Sequence, residues 1–200
     1  MTKPVVAAFD FDGTLTHGDS FLPFLRYLAG NARYAQSMLI LSPVLLGYAL
    51  RLVKNHHAKA RVLSQFFTGL DVQRTQQLAR DFAQHQLPQR INPVALARLR
   101  WHQQQGHKCV IVSASLECYL RPWAASVGVD DVIGSRLGIA DTVYTGDLVL
   151  PNCYGAEKSR RLSDLLGERE AYTLYAYGDS TGDRELLAMA DFAYYRDMPT

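Results

Sequence analysis

Four aspartates stand at places where apolar runs of this sequence end. Asp10 and Asp12 follow the first apolar run of the chain, and Asp179 and Asp183 follow one near its end. Carboxylates that face one cavity repel one another unless a cation or a proton compensates, and a set of hard oxygen ligands suits Mg²⁺. Capping of a helix or turn explains a single aspartate at such a place, but it does not explain four. The four acids therefore predict a magnesium site.

Two further features could bind an anion such as a phosphate. Gly13 and Thr14 directly follow the acid pair, and a glycine there permits a tight turn in which backbone N–H groups approach an anion. Lys158 offers a compact cation for a phosphate oxygen, although a lysine taken alone is most simply a solvated surface charge. Neither GxxxxGK(S/T) nor GxGxxG occurs, so the fingerprints of P-loop and dinucleotide-binding proteins are missing.

A second anion cradle is predicted around Ser113, which ends the apolar run 108–113. We expect a helix to begin here and to run from about Leu116, so that the N–H groups of Ala114 and Ser115 lie at a helix start and face an anion. A helix-capping role for the Ser113 hydroxyl is compatible with that arrangement.

Strands that alternate with helices would bring these residues together. Apolar runs predict buried strands at 5–9 and 108–113, and further strands are predicted at 172–177 and 192–195. Helices are predicted at 93–105, 116–127, 156–166 and 183–190, and a hairpin at Tyr144-Thr-Gly-Asp147. This alternation favours a parallel sheet, in which ligands bind beyond the carboxyl ends of the strands. The predicted fold is therefore α/β, with the acids, Ser113 and Lys158 at one edge of the sheet.

A helical insertion interrupts this alternation after the first strand. Helices are predicted from about 19 to 28 and over 32–53, 57–67 and 71–87. Pro43 should bend or divide the second helix, Asp71 is a plausible N-cap of the fourth, and Asp19 or Ser20 could cap the first.

The composition excludes several classes of protein. The chain has 200 residues, of which 48% are hydrophobic and 20% charged, which excludes disorder and fibres. Lys and Arg number 21 against 19 Asp and Glu, so the charge of +2 gives no general reason to expect nucleic acid as a partner. The three cysteines form neither a disulfide framework nor a CxxC pair, and a reducing cytoplasm is the expected location. The sequence carries no signal for an oligomeric state.

One stretch fits a soluble domain poorly. Residues 34–50 contain no charge, yet they are shorter than a spanning helix requires and include Pro43 and Gly47. A membrane-spanning helix would have to leave and re-enter a single folded domain, so we do not expect one. Three interpretations stay open: core of the insertion, lining of a substrate cleft, or contact with a membrane surface.

The residues that could do chemistry resemble the four ordered motifs of the haloacid dehalogenase-like phosphohydrolases. They are Asp10-Phe-Asp-Gly-Thr14, the apolar strand ending in Ser113, Lys158, and Gly178-Asp-Ser-Thr-Gly-Asp183. The position of the insertion resembles the phosphoserine phosphatase-like branch, subfamily IB, whose cap is a small helical bundle. The resemblance implies a Rossmann-like core at 1–16 and 89–200, a helical cap at 17–88, Mg²⁺ and an aspartyl-phosphate intermediate. The chain stops at Thr200, whereas members of this family often continue with a further segment.

The resemblance also implies a role for each motif residue. Asp10 would attack phosphorus, and Asp12 would protonate the leaving oxygen and then activate water. Mg²⁺ would be held by Asp10, the Asp12 carbonyl and Asp179, with Asp183 acting through water or by orienting Lys158. The phosphoryl oxygens would be held by Thr14, Ser113, Ala114 and Lys158.

Two residues of the insertion resemble substrate-binding residues of phosphoserine phosphatases. Asp19 corresponds to an acid that holds the substrate amine, and Arg61 to an arginine that holds the carboxylate. A helix cap for Asp19 and a surface charge for Arg61 are the simpler interpretations.

The expected activity is Mg²⁺-dependent hydrolysis of a small phosphate ester. Phosphoserine or histidinol phosphate is the first candidate substrate, and a lipid phosphate such as phosphatidylglycerophosphate is the alternative that the apolar insertion suggests. An alternative of another class is a signalling module that accepts a phosphoryl group without turnover, and a third is a non-catalytic binding protein built on the same fold.

Overall fold

Seven strands are described by the structure, a computed structural model that covers residues 3–199. They are β1 (Val5–Phe9), β2 (Lys108–Leu116), β3 (Asp131–Ser135), β4 (Leu137–Ala140), β5 (Val143–Leu148), β6 (Thr173–Gly178) and β7 (Phe192–Tyr195). Five of them form a sheet of order β3-β2-β1-β6-β7, and each pair of neighbours is parallel. The predicted α/β fold with a parallel sheet is confirmed. β4 and β5 form a separate antiparallel hairpin.

The helices in the same range are α1 (Phe21–Ala49), α2 (Asn55–Phe67), α3 (Val72–His85), α4 (Pro93–Gln104), α5 (Glu117–Ser126), α6 (Ala156–Leu166) and α7 (Arg184–Ala188). Short helical turns occur at Phe11–Leu15, Leu87–Arg90, Arg169–Ala171 and Thr181–Asp183. Several boundaries agree with the prediction to within a residue or two, α6 among them.

β1 lies at the centre of the sheet, and both of its faces are covered. Ala7 and Phe9 belong to one buried hydrophobic cluster, whereas Val6 and Ala8 belong to another on the opposite face. Successive side chains of a strand point to opposite faces, so a strand buried on both sides must be apolar throughout. This explains why the first apolar run of the sequence shows no alternation.

The chain leaves the sheet region before α1 and returns to it after α3 at the same place. Thr16 and Ile91 form an isolated antiparallel bridge, and the N–H of His17 donates to the Arg90 carbonyl over 2.9 Å. Asp71 caps α3, as predicted, by accepting the N–H of Arg74 over 2.8 Å.

α1 is kinked, but not where proline was expected to bend it. Gly30 has φ +74° and ψ 163°, which separates the two helical parts at the gap predicted between residues 28 and 32. Pro43 lies inside the second part, and the helix continues through it. Glycine adopts the positive φ that an L side chain resists, so the break falls at Gly30.

The predicted hairpin turn at Tyr144-Thr-Gly-Asp147 is wrong by a few residues. The turn lies at Asp141 and Thr142, with Asp141 at φ +53°, and the predicted segment is part of β5. The turn thus has its left-handed residue at Asp141 and not at the predicted Thr-Gly pair. Aspartate tolerates this conformation better than most residues do.

Tyr119 of α5 joins the inserted helices to the sheet region. Its ring centroid lies 4.7 Å from that of Phe24 and 5.6 Å from that of Phe82, and all three rings are buried. The hairpin adds a second contact, because α2 packs against β5. The inserted helices therefore share one hydrophobic core with the sheet.

The uncharged stretch 34–50 forms most of the second part of α1. Ser37 and Leu41 are buried, and Tyr34, Met38 and Leu45 pack against the core. Across residues 3–199, no helix combines the length and the apolar character that crossing a membrane requires.

A buried histidine on α4 is held neutral by its neighbours. His102 Nε2 lies 2.9 Å from the Tyr177 hydroxyl, which accepts the Arg98 Nε–H over 2.8 Å. The other ring nitrogen of His102, Nδ1, lies within hydrogen-bond distance of His107 Nδ1, at 2.7 Å. Burial, with the Arg98 charge, lowers the pKa of His102 to about 3.

We expect the free energy of unfolding to fall when the pH is lowered through the ordinary range of this histidine. The pKa of His102 is about 3 in the folded chain and 6.5 in a model peptide, so below 6.5 the unfolded chain binds a proton that the folded chain does not. The loss should be about 1 kcal/mol between about pH 7 and pH 5.5. Urea denaturation of the wild type and of His102→Gln at both pH values measures it.

His85 provides the control for this experiment, because it is exposed on α3. The His85→Gln protein should keep the pH dependence of the wild type. An undiminished pH dependence in His102→Gln would contradict the assignment.

Candidate active site

Lys158 lies at the carboxyl ends of β1 and β6, between two buried carboxylates. Its Nζ is 2.5 Å from Asp10 Oδ1 and 2.5 Å from Asp183 Oδ1, and all three residues are buried. Burial raises the pKa of Asp10 to about 7, and the Lys158 charge opposes this rise. Burial alone would lower the pKa of Lys158, but the two carboxylates raise it above its ordinary value. Lys158 is therefore a buried cation and not a solvated surface charge.

Asp183 is fully engaged by hydrogen bonds. Its Oδ1 accepts from Lys158, and its Oδ2 accepts from the Ser180 N–H over 3.0 Å and from the Ser180 hydroxyl over 2.7 Å. Asp183 thus ties the loop after β6 to Lys158. Orienting Lys158 is one of the two alternative roles that the resemblance implied for Asp183.

Asp179 has a free oxygen. Its Oδ1 is buried and has no hydrogen-bond partner within residues 3–199. Burial raises the pKa of Asp179, and the charge of Asp183 adds to the rise. An unpaired buried polar group costs about 1–3 kcal/mol, so an atom in this state indicates a ligand.

Close packing brings Asp179 to the turn that follows β1. Gly13 has φ +80°, and a Cβ built on it would lie 2.3 Å from Asp179 Oδ2. No other residue type fits such an approach, which explains why glycine follows the first acid pair.

The acidic side chains fit a hard divalent cation. Asp10, Asp179 and Asp183 each offer an oxygen within 4.8 Å of the others. The donor set is oxygen throughout, and the free Oδ1 of Asp179 points to a missing partner. Because Asp183 Oδ2 already accepts three hydrogen bonds and its Oδ1 faces Lys158, Asp10 and Asp179 are the carboxylates better placed to bind the ion directly.

Three of the four residues predicted to bind phosphate lie around the end of β1. The Thr14 hydroxyl is buried without a hydrogen-bond partner among the residues described, and it follows Asp12 and Gly13 in the same turn. Ser113 lies at the same edge of the sheet, since its strand pairs with β1 up to Ile111 and Phe9. Thr14 and Ser113, together with Lys158, therefore surround the end of β1.

The helix predicted from about Leu116 begins at Glu117, but the prediction that the N–H groups of Ala114 and Ser115 lie at its start is wrong. β2 continues to Leu116, which pairs with Ser135 of β3, and α5 begins only at Glu117. Ser113 and Ala114 are strand residues, and the Ser115 N–H donates to the Ser113 hydroxyl over 3.1 Å. Pairing with β3 extends the strand beyond β1, and this long-range contact has no local signature in the sequence.

Asp12 is held by donors from both sides of the cleft. The Ser20 N–H donates to its Oδ1 over 2.8 Å, and the Ser115 hydroxyl donates to its Oδ2 over 2.5 Å. Burial still raises the pKa of Asp12, although both donors act in the opposite direction. Neither the Ser20 N–H nor the Ser115 hydroxyl was predicted to contact Asp12, because both contacts join residues that only the tertiary structure brings together.

A cavity of about 360 Å³ opens beside Asp12. Its lining comes from the inserted helices on one side and from the sheet region on the other: Asp12, Asp19, Phe21, Leu22, Leu45, Tyr48, Asn55, Ala58, Lys59, Val62, Ala114, Ser115, Asn152 and Tyr154. Most of the side chains from the inserted helices are apolar. The stretch 34–50 thus contributes Leu45 and Tyr48 to this lining.

Asp19 lies at the cavity and also caps α1. Its Oδ2 accepts the Leu22 N–H over 2.8 Å, so Asp19 is a helix cap, and it also lies where a substrate-binding residue was predicted.

The cation of α2 that enters the cavity is Lys59 and not Arg61. Arg61 is exposed and is not among the cavity residues, so its position does not support contact with a substrate there. Lys59 Nζ donates to Asn152 Oδ1 over 2.6 Å and to the Ala114 carbonyl, and burial lowers its pKa to about 8. The helical spacing of Lys59 to the buried Val62 and Phe66 is a signal that could have identified it.

Comparison with known sequences identifies relatives of this chain. The family profile described as haloacid dehalogenase-like hydrolase matches residues 7–188. Protein CicA of Caulobacter vibrioides is 40% identical over 195 residues, which cover 97% of this chain and 86% of CicA.

Solved structures show the same fold. A protein from Bordetella pertussis Tohama I has a TM-score of 0.84 at 22% identity, over 94% of this chain and 87% of that one. A phospho-aspartyl intermediate analogue of phosphoserine phosphatase has a TM-score of 0.61 at 18% identity, over 94% and 84%.

We expect the buried ion pairs of Lys158 to contribute strongly to stability. Lys158→Met would leave Asp10 and Asp183 facing each other without a cation, and it should lower the free energy of unfolding by about 3 kcal/mol. Urea denaturation in the absence of divalent cations measures the change.

An exposed ion pair supplies the matched control. Lys108 Nζ lies 2.8 Å from Asp131 Oδ2, but both side chains are more than a third exposed. Lys108→Met should therefore cost less than about 1 kcal/mol. Equal losses in the two variants would show that burial does not strengthen the Lys158 pairs.

Proposed function

This chain belongs to the haloacid dehalogenase-like hydrolases and is a phosphatase, and we propose that it hydrolyses phosphate monoesters with Mg²⁺ through an aspartyl-phosphate on Asp10. The observation that carries the proposal is the pairing of Asp10 with Lys158 beside two buried oxygens, Asp179 Oδ1 and Thr14 Oγ1, that have no hydrogen-bond partner within the described residues. Such an arrangement has binding capacity for a cation and for an oxyanion at the same place.

In the first step, the free carboxylate oxygen of Asp10 attacks phosphorus. An oxygen–phosphorus bond to Asp10 forms, and the bond between phosphorus and the leaving oxygen breaks. Asp12 gives its proton to the leaving oxygen, a role supported by the burial that raises its pKa. Thr14, Ser113, Ala114 and Lys158 hold the phosphoryl oxygens.

In the second step, water attacks the phosphorus of the intermediate. Asp12, now ionised, accepts a proton from that water, and the bond from Asp10 to phosphorus breaks to release inorganic phosphate. The Ser20 N–H and the Ser115 hydroxyl keep the Asp12 carboxylate in place throughout.

The metal would be bound by Asp10, Asp179 and the Asp12 carbonyl. When bound, Mg²⁺ neutralises charge on the phosphoryl group and aligns it with the nucleophile. Asp183 contributes through Lys158, because both of its oxygens already accept hydrogen bonds.

Residues 17–88 act as a cap over a core made of 1–16 and 89–200. This division is supported by the backbone pairing at the junction, where the N–H of His17 donates to the Arg90 carbonyl. It is also supported by the cavity, whose walls come from Phe21 and Lys59 on one side and from Ser115 on the other.

The first substrate class is a small phosphorylated metabolite of the phosphoserine or histidinol phosphate kind. Asp19 at the cavity supports a substrate that carries an amine. Lys59 takes the place predicted for Arg61 as the cation that could pair with an acidic group of the substrate.

A lipid phosphate is the second substrate class. Phe21, Leu22, Leu45 and Val62 form an apolar wall of the cavity, which suits an alkyl or acylated leaving group better than an amino acid.

We expect Asp10→Asn to lower kcat for p-nitrophenyl phosphate by about a thousand-fold or more, because the amide cannot act as the nucleophile. The wild type should lose activity with a chelator and regain it with Mg²⁺. Phosphate release and acid-quenched labelling of the protein from a labelled substrate measure turnover and intermediate.

Asp164→Asn is the control, since Asp164 is an exposed residue of α6 paired only with Arg160 at the surface. It should retain wild-type activity and Mg²⁺ dependence. Substantial turnover in Asp10→Asn would exclude Asp10 as nucleophile, and a stable label without phosphate release would favour a signalling module.

We expect Lys59→Met to raise KM by about ten-fold for phosphate esters that carry a carboxylate, because it removes the cation of the cavity. A panel of phosphoserine, histidinol phosphate and a lipid phosphate in detergent should be compared by phosphate release. Arg61→Met is the matched variant two residues away, and its KM should stay at the wild-type value. The opposite pattern would restore Arg61 as the substrate-binding residue.

A further inference from the structure

The second part of α1 exposes large apolar side chains that nothing in the described chain covers. Leu39, Ile40, Leu46, Leu50 and Leu52, which we call the apolar ridge, have exposed fractions of 74%, 57%, 62%, 61% and 80%. Scattered exposed leucines are ordinary, but a contiguous set of this size on one helix and the turn after it marks an interaction surface.

The helical spacing separates this ridge from the buried face of the same helix. Leu39, Leu46 and Leu50 recur at intervals of seven and four, so they lie on one stripe. Leu41 and Ser37 lie on the opposite stripe and are buried. This part of α1 is therefore apolar on both sides, although the protein core covers only one of them, and a helix that is apolar all round normally has both sides covered.

The charge of the surrounding segment is strongly one-sided. Residues 20–70 hold six of the 21 Lys and Arg residues and none of the 19 Asp and Glu residues. Their formal charge is +6, and that of the rest of the chain is −4, since the remaining 15 basic residues face all 19 acids. Arg51 and Lys54 lie directly beside Leu50 and Leu52, and both are exposed.

The ridge is continuous with the rim of the cavity. Leu45 and Tyr48 line the cavity, and they alternate along α1 with Leu46 and Leu50 of the ridge. Asn55, which follows the basic turn, lines the cavity as well. A surface that covered the ridge would thus lie next to the cavity opening.

We propose that the apolar ridge and the basic turn Arg51–Lys54 dock this protein on an anionic lipid bilayer. Leucines that enter the headgroup region and cations that face anionic lipids are the two contributions that hold interfacial helices on membranes. A second copy of the chain is disfavoured as the occupant, because two ridges in contact would bring together two segments of charge +6. Docking itself does not depend on the phosphatase mechanism. The consequence that docking would bring lipid phosphates to the cavity rests on the proposed function.

Flotation with vesicles tests the proposal. Wild-type protein should float with vesicles of two parts phosphatidylcholine to one part phosphatidylglycerol, and less with phosphatidylcholine alone or at high salt. The double variants Leu46→Gln/Leu50→Gln and Arg51→Gln/Lys54→Gln should each lower the partition coefficient by about ten-fold or more.

Matched variants elsewhere on the surface provide the controls. Val94→Gln/Leu165→Gln removes two exposed apolar side chains of α4 and α6, and Arg74→Gln/Arg80→Gln removes two exposed cations of α3. Both should bind vesicles as the wild type does. Circular dichroism and hydrolysis of soluble p-nitrophenyl phosphate check that every variant is folded, and this readout separates a failure of docking from a failure of the proposed function.

Three outcomes would overturn the proposal. The first is that the wild type stays with the soluble fraction, and the second is that the ridge and turn variants float as well as the controls do. The third is a dimer of the wild type in analytical ultracentrifugation that Leu46→Gln/Leu50→Gln converts to a monomer without any vesicle binding, which would make the ridge a contact between two copies.

Discussion

The site depends on one buried cation between two buried carboxylates. Lys158 holds Asp10 at the end of β1 and Asp183 in the loop after β6, so a helix and two strands are tied together by charge. Charges in this environment are costly unless they are paired, and Asp179 adds a further carboxylate whose Oδ1 has no partner in the described part of the chain. The excess of carboxylates is therefore built into the fold, and their oxygens fit a divalent cation.

The second acid of the site depends on the contact between the inserted helices and the sheet. Asp12 is held by Ser20 at the start of α1 and by Ser115 of β2, and Ser20 is in turn linked to the Tyr119 hydroxyl over 3.1 Å. Tyr119 also packs against Phe24 within the shared hydrophobic core. A shift of the inserted helices would thus move the Ser20 N–H that helps to position Asp12, which connects packing at a distance to the acid–base chemistry proposed for Asp12.

The inserted helices combine three surfaces in one short segment. One side of α1 supplies the core with Leu41, and a neighbouring side lines the cavity with Leu45 and Tyr48. The third side carries Leu46 and Leu50 into solvent. This division explains how a stretch without a charge can belong to a chain of ordinary composition.

The sequence by itself indicated the parallel sheet, because short apolar runs that alternate with helical patterns are typical of strands buried on both faces. It also indicated that Asp10, Asp179 and Lys158 are neighbours, because parallel strands end at one edge of the sheet. It did not determine the extension of β2 past Ser113, since that depends on pairing with β3. The helical spacing of Lys59 to Val62 and Phe66 indicates that Lys59 lies on the inner side of α2, but only the tertiary structure decided that this side borders the cavity. Local patterns record which groups a chain carries and which strands it forms, whereas long-range packing decides which side chains meet.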